Sequence, residues 1–201
     1  DVLTPPNAAA QAIFENGNEV GDLACRLFPN GIEIPYLNTT FQDKINLTQE
    51  YINQGTQNIY EATFEFDGIL IMIDILNIKD NSVIINEVKS STQVKDIYLH
   101  DASIQYYVLN GLGYDVKKVN IIHINNEYVR DEELDINQLF SVVDVTYEVK
   151  ELQSNIKNNL EIFRKTLDKE DEPNIDIGTH CNEPYECDAK NYCWSHIPNY
   201  S

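Results

Sequence analysis

The sequence predicts an α/β fold, a central mixed sheet flanked by helices, and three observations carry that prediction. Residues 69–78 and 83–88 are short runs dense in Ile and Val, split by the polar Lys79-Asp80-Asn81 and lacking helical spacing, so they read as two strands joined by a tight turn. Residues 94–112 place Ile97, Ile104, Val108 and Leu112 at helical spacing, and a further apolar, β-branched run follows at 116–124. A chain of 201 residues with 42% hydrophobic content can also bury a sizeable core as one domain.

Taken in order, Pro5-Pro6 can open a helix in which Ala9, Ala12, Ile13, Val20, Leu23, Ala24 and Leu27 recur at helical spacing until Pro29-Asn30-Gly31 stops it. Residues 32–35 suggest a short strand, and 43–53, with Ile45, Leu47, Tyr51 and Ile52, a second helix. Residues 60–66 alternate with period two, which puts Tyr60, Ala62, Phe64 and Phe66 on one face and Glu61, Thr63 and Glu65 on the other. A solvated strand face explains Glu61 more cheaply than a place in a site. Asp67-Gly68 turns the chain into the hairpin. The helix over 94–112 closes on Gly111 and Gly113, and its Asp101 and Gln105, four apart, share a face that can look onto the hairpin. In the strand over 116–124, His123 reads as a packed, hydrogen-bonded side chain. From Asn137 to about Lys169 a long helix is expected, its stripe of Val145, Val149, Leu152, Ile156, Leu160, Phe163 and Leu167 packing on the core. The whole, residues 1–201, reads as a single domain and as a module of a longer protein: upstream helix 1–31, core 60–125, long helix 137–169 and a cysteine tail at 178–197.

The chemistry lies in the hairpin, where a carboxylate sits inside each apolar run. If Asp80 and Asn81 are the two central residues of a primed turn, Lys79 pairs with Ser82 and, counting outward, Asp74 stands opposite Glu87. Opposed side chains have Cβ atoms roughly 5 Å apart, and like charges at that distance are destabilising. Flanked by Ile73, Ile75 and Val88, they call for a positive partner such as a divalent cation. Lys89 projects from the same face about 7 Å further along the strand. The competing reading is a water-facing Asp74 and an ordinary Glu87–Lys89 surface pair, worth under ~1 kcal/mol. Against it, residues 69–76 are apolar at every position except Asp74, the pattern of a strand covered on both faces.

Asp74, then Glu87-Val88-Lys89, then a helix carrying Gln105-Tyr106, resembles the PD-(D/E)XK nuclease superfamily, in particular its RecB-like branch, which includes the iron-sulfur exonucleases associated with CRISPR systems. An E-x-K triplet alone is common, whereas the ordered set is considerably more specific. The resemblance covers most of the chain and implies a restriction-endonuclease-like core in α-β-β-β-α-β order, followed here by the long C-terminal helix and cysteine tail. It also implies that Asp74 and Glu87 hold Mg²⁺ or Mn²⁺, that Lys89 orients or activates the attacking water, and that Gln105 lines the site. The family's upstream helix adds a His or Glu to the metal, and the match here is Glu19, in Phe14-x-x-Gly17-Asn18-Glu19-Val20-Gly21.

Cys181, Cys187 and Cys193 stand with five residues between each pair, in a polar segment too short to hold itself together without a staple. Disulfides, zinc and an iron-sulfur cluster are the options that spacing leaves open. The resemblance favours a [4Fe-4S] cluster with a fourth, upstream thiol, for which the sequence offers Cys25.

No apolar stretch approaches the ~20 residues of a membrane-spanning helix, and no signal peptide is visible, so a cytoplasmic protein is expected. The net charge of −19, with only 14 Lys and Arg, argues against a simple nucleic-acid binder. The acidic residues concentrate at Asp131-Glu132-Glu133 and at 168–172, which read as solvated loops. The expectation is therefore a metal-dependent nuclease acting on DNA, from ends or on single strands, with further domains of the same polypeptide as partners. The alternative is a catalytically silent module of the same fold that binds nucleic acid or a protein.

Overall fold

The structure, a computed structural model, describes residues 3, 8–79 and 82–197. Pro5-Pro6 and the Asp80-Asn81 turn lie outside the described residues. The chain forms two compact units, Asn16–Asn159 and Asp1–Glu15 together with Leu160–Ser201. The first holds the whole sheet and the expected core at 60–125.

The helices are α1 (Ala8–Cys25), α2 (Phe41–Asn53), α3 (Asp96–Gly111), α4 (Ile136–Leu139), α5 (Thr146–Glu151), α6 (Gln153–Leu167) and α7 (Lys190–Cys193). The strands are β1 (Ile32–Glu33), β2 (Asn58–Phe66), β3 (Ile69–Lys79), β4 (Ser82–Lys89), β5 (Asp115–Ile124) and β6 (Phe140–Asp144), and they form one mixed sheet in the order 1-2-3-4-5-6. β1 runs parallel to β2 and β4 to β5, while the other neighbours are antiparallel. The expected strand-strand-strand-helix-strand succession is thus present as β2-β3-β4-α3-β5, with β1 and α2 inserted after α1.

Local chemistry accounts for the boundaries. Thr40 caps α2 by accepting from the Asp43 N–H while Asp43 Oδ2 accepts from the Thr40 N–H at 2.9 Å, a reciprocal capping box. Asp67 and Gly68 both take left-handed backbone, φ 54° and 72°, as a two-residue primed turn between β2 and β3 requires. Gly31, after α1, passes under the Tyr60 ring so closely that a Cβ there would lie 2.1 Å from a ring carbon, and its N–H donates to the Tyr60 hydroxyl. Only glycine fits.

Two hydrophobic clusters hold the sheet. The larger gathers Ile59, Ala62, Phe64, Ile73, Leu76, Ile85 and Ile121 with Tyr98, Ala102, Val108 and Leu109 of α3, Val145 just before α5 and Val149 within it. The smaller gathers Ile75 and Ile122 with Val20 and Ala24 of α1 and Phe140 of β6.

Two expectations are corrected. The single helix over 137–169 is instead α4, β6, α5 and α6. β5 offers an open backbone edge, and residues 140–144 fill it, pairing Ile121 with Val143 and Ile122 with Val142. Asp144 Oδ1 then accepts from the Thr146 N–H at 3.0 Å and starts α5. The apolar stripe is core only at its beginning, since Val145, Val149 and Ile156 are buried but Phe163 and Leu167 are 57% and 83% exposed. The period-two reading of β2 also breaks, because Tyr60 packs in the smaller cluster with Ile75, whereas Ala62 and Phe64 pack in the larger. The residue between Tyr60 and Ala62, Glu61, has φ +57°, and the alternation changes phase there.

Candidate metal centre

The β3–β4 ladder begins with Lys79 opposite Ser82, as counted from the turn, and runs to Ile75 opposite Asn86 before it stops. One step further places Asp74 opposite Glu87. There the sheet forks. β3 continues toward Ile69 paired with β2 alone, while Glu87, Val88 and Lys89 continue paired with Ile121, Ile122 and His123 of β5. Asp74 sits in the crotch, and its Oδ2 accepts from the Val88 N–H at 2.6 Å, so a side chain takes the place of the lost backbone partner.

On the other limb Glu87 is 7% exposed and both of its oxygens are engaged. Oε1 lies 2.8 Å from Lys89 Nζ, and Oε2 accepts from Gln105 Nε2 at 2.6 Å. Lys89 Nζ also pairs with Asp101 Oδ2 at 2.9 Å and lies 5.1 Å over the Tyr98 ring. The expected polar face of α3 is therefore present, Gln105 and Asp101 each binding one residue of the E-x-K triplet. Asp101 is the member that sequence reasoning left without a role. The other end of the Gln105 amide, Oε1, is buried with no hydrogen-bond partner among the described residues. His123 is half-buried and its Nδ1 lies 2.9 Å from the Ile124 carbonyl, the packed role expected of it.

The electrostatics follow from this packing. Burial, then the Glu87 carboxylate, push the Asp74 carboxyl well above its ordinary range, with the Val88 N–H opposing them. Burial pulls Lys89 down, but Glu87 and Asp101 more than offset it and leave the ammonium above its ordinary value. Glu61, dismissed on sequence as a solvated side chain, is half-buried; burial and the charges of Glu33 and Glu87 raise its carboxyl. Its position level with Asp74 on β2 was legible from the turn at Asp67-Gly68, but its reversed backbone had no signal.

Glu19 does not join this group. It is exposed on α1, and the α1 acid whose charge reaches Glu61 is Asp22, three residues on. Among the described residues, no three His, Cys, Asp or Glu side chains come together as a group that could hold a metal ion. That bears on the cysteines. Cys181 is buried, Cys193 intermediate and Cys187 exposed, all three are free thiols, and they form no ligand group. Cys25 is half-buried, and burial followed by the charges of Asp22 and Asp74 pushes its thiol up to about 12. Asp74 and Glu87 are hard oxygen donors of the type Mg²⁺ takes, an ion commonly bound through one or two carboxylates that keeps several waters. The orphaned Gln105 Oε1 is a further buried acceptor beside Glu87.

No helix among the described residues is long and apolar enough to cross a membrane. Compared with protein-family models and with curated proteins, the sequence matches none.

Proposed function

We propose that the fork is the active site of a metal-dependent nuclease that hydrolyses DNA phosphodiester bonds, on a restriction-endonuclease-like core. The observation that supports this reading is that Glu87 bonds both Lys89 and Gln105, while Asp74, one ladder step past the Ile75–Asn86 pair, has its carboxyl raised by the Glu87 charge. Asp74 and Glu87 would hold the ion, Mg²⁺ or Mn²⁺, which when bound polarises the phosphoryl oxygen and lowers the pKa of the attacking water. Gln105 fixes the Glu87 carboxylate through Nε2 and leaves Oε1 as an acceptor. Lys89 stays an ammonium between Glu87 and Asp101, so its part is to hold the water by donating to it and to steady charge on the pentacovalent phosphorus, not to remove a proton. A second reading, a silent module that binds nucleic acid or a protein, is favoured in its protein-binding form by the net charge of −19. The test is incubation with labelled single- and double-stranded DNA and Mn²⁺ beside a Glu87→Ala control. Cleavage by the parent that is absent in Glu87→Ala supports the nuclease. Cleavage by neither protein, or by both, removes this assignment.

A further inference from the structure

Glu61 stands on β2 at the level of Asp74 on β3, since the ladder pairs Tyr60 with Ile75 and Ala62 with Ile73 and skips the position between them. Its φ of +57° is a conformation that non-glycine residues rarely adopt and that persists only where the surroundings enforce it. Here they do. The Glu61 carbonyl, turned out of the ladder, accepts from the Thr63 hydroxyl at 3.0 Å, and the Ile34 N–H takes the neighbouring Tyr60 carbonyl at 3.0 Å. The side chain that this kink presents is a half-buried carboxylate that, among the described residues, makes no hydrogen bond or ion pair. The cation whose charge acts on it, Lys44, is buried with its Nζ 3.9 Å from Met72 Sδ and 4.3 Å above the Tyr36 ring, and does not bond to it. The charges bearing on Glu61 are otherwise those of Glu33, Glu87 and Asp22, and Glu61 in turn acts on Asp74. Three neighbouring strands thus bring Glu61, Asp74 and Glu87 to one level, and beside them the Gln105 amide, 7% exposed, keeps an acceptor without a donor.

We infer that Glu61 is the third carboxylate of this site and sets its affinity for a divalent cation, reaching the ion through water and not as a direct ligand. The inference rests on reading the fork as a cation site. Contact through water agrees with the absence, among the described residues, of any three acidic groups close enough to share an ion directly. It also gives the left-handed backbone a purpose, since a regular strand would keep the alternation unbroken and carry this side chain elsewhere.

The test is Mn²⁺ binding to the full chain by titration calorimetry, with thermal unfolding alongside, for the parent, Glu61→Gln, Glu61→Gly and Asp74→Asn. Glu61→Gln keeps the size and removes the charge, and is expected to weaken Mn²⁺ about tenfold or more, the range found when outer-shell partners are lost, with the metal-free protein melting no lower than the parent. Glu61→Gly suits the left-handed backbone and is expected to melt no lower than the parent while losing the same affinity. If Glu61→Gln binds within twofold of the parent while Asp74→Asn does not bind, Glu61 is only a kinked strand residue and the inference falls, leaving the fork intact. If both Glu61 variants fail to fold, its role is structural and the inference falls equally. If the parent itself binds no Mn²⁺, the reading of the fork goes first and Glu61 with it.

Discussion

Asp74 carries a charge in a place where the metal-free protein is better off without it. Its carboxyl is raised by burial and by Glu87, so the folded state holds this proton more tightly than the unfolded chain does. Such a group adds stability below the ordinary carboxylate range, and the contribution is lost as pH rises through the folded value. Asp74→Asn should therefore be more stable than the parent without metal, by on the order of 1–3 kcal/mol at neutral pH, with the gap closing toward acid. Urea unfolding across pH checks this; a variant less stable than the parent at pH 7 would contradict it. Lys89 is the opposite case. Its ammonium is the only ion-pair partner recorded for Glu87 among the described residues, and removing one member of a buried pair strands the other. Lys89→Met should lose about 2–3 kcal/mol of stability, retain Mn²⁺ binding, and turn over no DNA. Cleavage at the parental rate would remove Lys89 from the mechanism.

Elements differ in how far local sequence determines them, and β6 and α5 show why. Asp144 Oδ1 accepts from the Thr146 N–H just ahead of α5, whose N-cap residue is Val145, and Thr146 Oγ1 in turn accepts from the Val119 N–H of β5 at 2.9 Å. Asp144→Ala should cost about 1 kcal/mol, the usual net worth of a hydrogen bond. Hydrogen bonds from Thr146 hold the Asp144 carboxyl below its ordinary range, so this contribution is present at neutral pH and lost as pH falls through that range. Denaturation of the two proteins at pH 7 and pH 3 should show the gap shrinking at the lower pH. The helical stripe from Val145 was readable in sequence, but it extends backward over Phe140, Val142 and Val143 only if the edge of β5 is ignored, and that edge is a fact of tertiary structure. The hairpin was legible for the converse reason. Register follows from turn length, so Lys79 opposite Ser82 carries Asp74 to Glu87 without any knowledge of the rest. Glu61 was not legible, because nothing about a glutamate announces a left-handed φ. Alternation therefore assigned Tyr60 and Ala62 to one face when they occupy two.

At the scale of the whole molecule the dominant quantity is charge. With 33 acidic against 14 basic residues, the chain repels a phosphate backbone at long range, and the fork adds Asp74 and Glu87 to that field. Its Lys89 is already shared between Glu87 and Asp101 and offers little to a free phosphate. Nucleic acid should then bind only when a divalent ion reverses the sign locally, and the few contacts made by protein cations should give a shallow dependence on monovalent salt. Calcium separates binding from turnover, because it takes the same oxygen ligands with looser geometry than Mg²⁺ demands. Fluorescence anisotropy with a labelled single-stranded oligonucleotide should therefore detect no complex in EDTA, a complex at least about tenfold tighter in Ca²⁺, and no such gain in Asp74→Asn. Equal binding with and without the ion, unaffected by Asp74→Asn, would mean that the DNA is held by another surface. The forked hairpin would then be the scaffold of a binding module and not a catalytic centre.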